Sequence, residues 1–123
     1  MTRAWQIDLP DAEMISPNSR SHWTKRAKCA EQWRTATRLI AISTGIPTLE
    51  RVTVALDHWP KDKRRRDPDR NSLVLKWCLD GIVDAGVIAD DDSTHVAEVA
   101  LRMHPPRKDR VPTWLLTIQE AAA

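Results

Sequence analysis

The stretch that decides the fold is Arg51-Val52-Thr53-Val54-Ala55-Leu56-Asp57-His58-Trp59, followed by Pro60. Val52, Val54 and Leu56 alternate with Thr53, Ala55 and Asp57, which is the period of a strand, and Pro60 ends it because proline has no N–H to give a ladder. Downstream, the segment from Arg70 to Ala85 sets Leu73, Val74, Trp77, Cys78, Leu79, Ile82 and Val83 on one broad apolar face, with Gly86 as its stop; this predicts a helix. Alternation returns over residues 95 to 103 through Val99, Leu101 and Met103, and again through Trp114, Leu116 and Ile118. Upstream, Trp5, Ile7 and Leu9 alternate with Ala4, Gln6 and Asp8 until Pro10, and the run from Asp11 to Ser21 has no period and reads as a polar loop. From His22 to Ser43, Trp23, Ala27, Ala30, Ala36, Leu39 and Ile40 recur at helical spacing, and Gly45 and Pro47 close that helix. The order strand, helix, strand, helix, strand, strand predicts an α+β domain: a mixed four-stranded sheet carrying two helices.

The whole chain, residues 1–123, is one domain's worth of sequence. With 41% hydrophobic and 29% charged residues it is too apolar for intrinsic disorder and has no run long enough to span a membrane. The start, Met1-Thr2-Arg3-Ala4-Trp5-Gln6-Ile7-Asp8, lacks the apolar centre of a signal peptide, so the expectation is a cytoplasmic protein with no membrane partner. Cys29 and Cys78 are too few for a disulfide framework and are expected reduced and buried. There is no internal repeat.

Charge is unevenly distributed. The net value is +2, yet Lys61-Asp62-Lys63-Arg64-Arg65-Arg66-Asp67-Pro68-Asp69-Arg70 is dominated by bases, while Asp80 to Glu98 holds Asp80, Asp84, Asp90, Asp91, Asp92 and Glu98 with no Lys or Arg. Carboxylates beside a basic segment would repel a polyanion unless a divalent cation lies between them. Magnesium needs only a few carboxylate oxygens and leaves the rest of its shell to water and phosphate, so Asp67, Asp69 and one of Asp90 to Asp92 suffice as a donor set. A plainer account is also open: Asp67 and Asp69 cap a helix, and the later trio is a solvated acidic turn. His22, His58, His95 and His104 show no ligand-pair spacing and no nucleophile pattern.

The run Arg64-Arg65-Arg66-Asp67-Pro68-Asp69, then Asn71, Leu73 and Lys76, then Leu79-Asp80-Gly81 through Asp84-Ala85-Gly86-Val87-Ile88 to Asp90-Asp91, resembles the RusA-type Holliday-junction resolvases. Leu9-Pro10 and Ser16-Pro17-Asn18 with His22-Trp23 are similar to that family's opening, so the likeness runs along most of the chain. It implies a magnesium-dependent endodeoxyribonuclease, with manganese as the alternative ion, that nicks four-way DNA junctions symmetrically as a homodimer and leaves a 5′ phosphate. Carried over position by position, the metal ligands are Asp67, Asp69 and Asp91 with Asp90 beside it, and Lys76 is the helix lysine of the site. Asn71 follows Asp69 by two positions where the family's asparagine follows directly, and Lys76 falls about one helical turn late. Members are often carried by phages.

Lys61, Lys63, Arg64, Arg65, Arg66, Arg70 and Asn71 are the expected DNA contacts, with Arg20 and Lys25 extending the track and the loop at Arg107, Lys108 and Arg110 a secondary one. Trp5, Trp33, Trp77 and Trp114 sit within periodic elements and are expected in the core or an interface. Two rival functions stand: a non-catalytic basic nucleic-acid-binding module, and a nuclease for other branched DNA such as flaps or forks.

Overall fold

The computed structural model describes residues 2–9, 23–60, 71–107 and 114–122. The elements are β1 (Ala4–Leu9), α1 (Trp23–Thr44), β2 (Val52–His58), α2 (Ser72–Asp84), β3 (Val96–Met103) and β4 (Trp114–Glu120). They form a small α+β domain whose one sheet has the order β1-β4-β2-β3. β2 and β3 run parallel, joined through α2, and β4 is antiparallel to both β1 and β2.

Strand alternation sorts the sheet into two faces. Ile7, Leu9, Val52, Val54, Leu56, Trp114, Leu116 and Ile118 are at most 1% exposed and form one core with the helices, while Ala4, Gln6, Asp8 and Gln119 on the other side are exposed. Trp33 of α1 meets Trp114 edge to face, with ring centroids 5.1 Å apart, and this fixes α1 over the sheet. Val99 has Val54 as its register partner yet is 48% exposed. Among the described residues β3 is an edge strand of the sheet, so its flank is open there.

The buried side of α1 differs from the one its apolar spacing predicts. Cys29, Trp33, Thr37 and Ala41 are buried, whereas Ala27 is exposed and Leu39 is 52% exposed. The reason is a close crossing with α2. A Cβ on Gly81 would stand 2.7 Å from the Arg34 carbonyl oxygen and 2.7 Å from Thr37 Cβ, so the helices approach too closely there for any side chain at position 81. Thr37 satisfies its hydroxyl by donating to the Trp33 carbonyl at 2.8 Å. At the rim of the seam Arg34 Nη2 donates to Asp84 Oδ1 at 2.8 Å. Both helices stop at glycines with positive φ, Gly45 at 80° and Gly86 at 82°, the conformation that glycine adopts without a Cβ clash.

Both cysteines are free and buried. Burial pushes the Cys78 thiol up to about 12, against a smaller opposite pull from Thr37. A disulfide-exchange reagent at about pH 8 should therefore label neither thiol on the minute scale in the native protein and both after denaturation, followed by absorbance. Prompt labelling of native protein would contradict this packing. Among the described residues, no helix is long and apolar enough to cross a membrane.

Candidate active site

The connection from β2 to α2 opens at Pro60 and closes at Asn71, the N-cap of α2. Asn71 makes no side-chain cap bond. Its amide nitrogen instead lies 3.2 Å from His58 Nδ1 and donates to Met103 Sδ at 2.8 Å, leaving the residue 2% exposed. His58 in turn is stacked flat on Trp114, 3.7 Å between centroids. Asn71 was expected to face DNA. Its side chain is turned into the protein, where it ties the start of α2 to the ends of β2 and β3.

From that anchor α2 runs with Val74, Leu75, Trp77, Cys78, Leu79, Gly81 and Ile82 buried, which leaves Lys76 on its open side. After the turn at Gly86 the chain is pinned back against the core. Val87 and Ile88 are each 1% exposed, Val87 N donates to the Ile82 carbonyl at 3.0 Å, and Leu49 N donates to the Val87 carbonyl at 2.7 Å. Thr48 Oγ1 adds a bond to the Gly86 carbonyl at 2.8 Å. This pinning lays the acidic trio beside α2, where Lys76 Nζ meets Asp91 Oδ2 at 2.5 Å and Asp80 Oδ1 at 3.0 Å.

The three adjacent aspartates have separate tasks. Asp90 Oδ1 accepts from the Asp91 backbone N–H at 2.7 Å and shapes the turn. Asp92 Oδ1 accepts from the backbone of Thr94 and His95 and lies 2.6 Å from His95 Nδ1, so it organises the entry to β3. Asp91 alone faces the lysine. The hydrogen bond from Lys76 holds the Asp91 carboxyl below the ordinary carboxylate range against a smaller effect of burial, and bonds to Asp91 and Asp80 raise the Lys76 ammonium. At neutral pH the pair is ionised on both sides.

Of the residues expected at the site, Lys76, Asp90 and Asp91 come together, and Lys25 is exposed on the first turn of α1. Asp67, Asp69, Lys61, Lys63, Arg64, Arg65, Arg66, Arg70 and Arg20 lie outside the described residues, as do Lys108 and Arg110. Among the described residues, no three His, Cys, Asp or Glu side chains gather as a metal group. Asp80 is a participant that motif reading missed, although its position four residues after Lys76 on one helix was a usable signal. Asp57 was also missed. It is buried beneath Arg102 and His104, a pairing set by strand register rather than by any local pattern.

No protein-family model matches the chain. It is similar to an uncharacterised protein of Xylella fastidiosa (strain Temecula1), 30% identical over 102 residues, which is 79% of this chain and 61% of that protein's length.

Proposed function

We propose that the chain is a magnesium-dependent, structure-selective endodeoxyribonuclease of the RusA type, acting as a homodimer on four-way DNA junctions. The observation that carries the reading is the meeting of Lys76 with Asp91, fifteen positions apart, two residues that the resemblance assigns to one site. Hard carboxylate oxygens suit magnesium, and Asp90 and Asp91 offer them on an open surface beside the helix that Asp67 and Asp69 precede in sequence. Those four residues would hold the ion. When bound, it supplies a Lewis acid for the phosphate and lowers the pKa of the attacking water.

The chain's own groups do the remainder. Asp91 stays ionised because Lys76 stabilises its charged form, so no proton has to leave it before the reaction. The water oxygen bonds to phosphorus as the bond to the 3′ oxygen breaks, giving a 5′ phosphate and a 3′ hydroxyl. Lys76, held by two carboxylates beside that position, offsets the negative charge that grows on the phosphate oxygens. The basic run from Lys61 to Arg70 supplies backbone phosphate contacts. Paired nicks require two sites related by a two-fold axis, which a homodimer provides.

The test is a labelled synthetic four-way junction incubated with the protein and magnesium, with products resolved on a sequencing gel and the protein's mass in solution measured by sedimentation. The expected result is nicks at symmetric positions in two opposing strands, made by a dimer. Cutting of flaps or forks in preference to the junction would move the assignment to another branched substrate, and no cutting of any branched DNA would end it.

A further inference from the structure

β3 is eight residues long, and among the described residues its only strand partner is β2. His104 N donates to the His58 carbonyl at 2.9 Å, which fixes the side of the strand that each backbone group takes. Alternate residues turn their N–H and C=O the same way, so those of Ala100 and Arg102 face β2 and those of Val99, Leu101 and Met103 face outward. Among the described residues, nothing bonds to that outward row. Edge strands are commonly blunted by proline, lysine or brevity, and β3 has none of these. The opposite edge, β1, is six residues long and runs into Pro10.

The side chains of β3 are uncovered on both faces of the sheet. On the helix side Val99 is 48% exposed although its register partner Val54 is fully buried, and Leu101 two residues on is only partly buried. On the open side Glu98 and Arg102 are both exposed with Ala100 between them. Arg102 holds Asp57 through Nε and Nη2, which leaves Nη1 for another acceptor, and Glu98 has no ion pair among the described residues.

A two-fold axis through an antiparallel strand pair sets one residue against its own copy and pairs the flanking residues crosswise. With the axis at Ala100, Val99 meets Leu101 and Glu98 meets Arg102, each twice. An axis at Val99 would instead set Glu98 against Ala100, and one at Leu101 would set it against His104. In the Ala100 register the outward groups of Val99 and Leu101 exchange both backbone hydrogen bonds, while Glu98 and Arg102 occupy the closer positions that lack them, where opposite charges attract most.

We propose that β3 is a dimer interface, pairing antiparallel with β3 of a second copy about an axis at Ala100 to give one continuous eight-stranded sheet. The surface is read from the strand edge alone; its use for paired nicks rests on the proposed function. The turn that holds Asp90 and Asp91 leads directly into β3, since Val96 N donates to the Asp92 carbonyl at 2.9 Å. The dimer therefore sets the two candidate sites toward opposite ends of the strand pair, with His95 and its copy about 35 Å apart along the strands.

Two measurements test the interface. Sedimentation equilibrium over a range of protein concentration should show a dimer for the wild type. Glu98→Lys, which sets a cation against Arg102 at both ends of the pair, should weaken dimerisation about tenfold or more with an unchanged circular dichroism spectrum. Under mild oxidation Ala100→Cys should form a disulfide-linked dimer, because such a pair brings its Cα atoms to about 4.5 Å, within disulfide reach. Gln6→Cys, exposed on β1, should stay unlinked, and Cys29 and Cys78 are buried and do not compete. A monomer at every concentration would overturn the interface. So would a dimer that Glu98→Lys leaves intact and Ala100→Cys fails to link, an outcome that keeps the nuclease reading with a homodimer built on another surface. A linked dimer that cuts no branched DNA would keep the interface and end the nuclease reading.

Discussion

Asp91→Asn is expected to slow junction nicking by about 10²–10³-fold, with junction binding measured without divalent ions unchanged or tighter. The substitution keeps the size and one oxygen of the side chain and removes the charge that both Lys76 and a cation would use. Because Asp91 is 25% exposed at its side chain and its backbone bond to Asp90 does not involve the lost charge, the fold should persist, which circular dichroism checks. The same loss is expected of Asp67→Asn. Asp80→Asn is the control. Asp80 also holds Lys76, but the short contact to Asp91 remains, so nicking should fall only a few-fold. Equal rates for Asp91→Asn and wild type would remove Asp91 from the reaction. A wild type that binds junctions in a salt-dependent manner and cuts nothing would favour the non-catalytic rival, in which the aspartates serve only turns and ion pairs.

The second large effect concerns stability. Gly81→Ala places a methyl 2.7 Å from both the Arg34 carbonyl oxygen and Thr37 Cβ. On an isolated helix alanine is the better residue by about 1 kcal/mol, so a surface glycine would gain from this change. Here overpacking of roughly 1–3 kcal/mol opposes that gain, because the obstacle is backbone and a branched side chain rather than a flexible tip. A net loss is expected, read as a lower urea midpoint with the slope unchanged. The variant should also lose nicking activity in proportion to how far α2 is displaced, since α2 carries Lys76. A midpoint at or above wild type would show that α1 yields by a few tenths of an ångström, and the seam would then not limit the choice of residue.

Much of the fold is legible in the sequence. Alternation over Trp114 to Ile118 marks a strand because its residues are buried and less buried in turn, and a period of two records that asymmetry. In β2 the alternation of Val52, Val54 and Leu56 marks the core face, although Ala55 and Asp57 between them are buried as well. α2 is legible for the complementary reason: apart from Gly81, its buried residues are apolar side chains at helical spacing. α1 was misread on one side. Apart from Trp33, its buried residues are Cys29, Thr37 and Ala41, too small or too polar to mark a face, while the exposed Leu39 draws the expected stripe toward solvent.

By itself, the sequence determined that this protein is an α+β domain and that its helices stop at Gly45 and Gly86, and its resemblance singled out Asp67, Asp69, Asp90, Asp91 and Lys76 as the candidate site. Those are consequences of short-range periodicity, turn chemistry and motif order, all of which are written locally. Only the tertiary structure decided that Asp91 rather than Asp90 meets Lys76, that Asn71 is spent inside on His58 and Met103, and that Asp57 holds Arg102 and His104. Each of these depends on where two distant segments come to rest: the pinning of Val87 and Ile88, the joint ending of β2 and β3, the parallel register that sets Asp57 opposite Arg102. Such contacts are fixed by packing and strand register across the whole domain, and no local pattern encodes them.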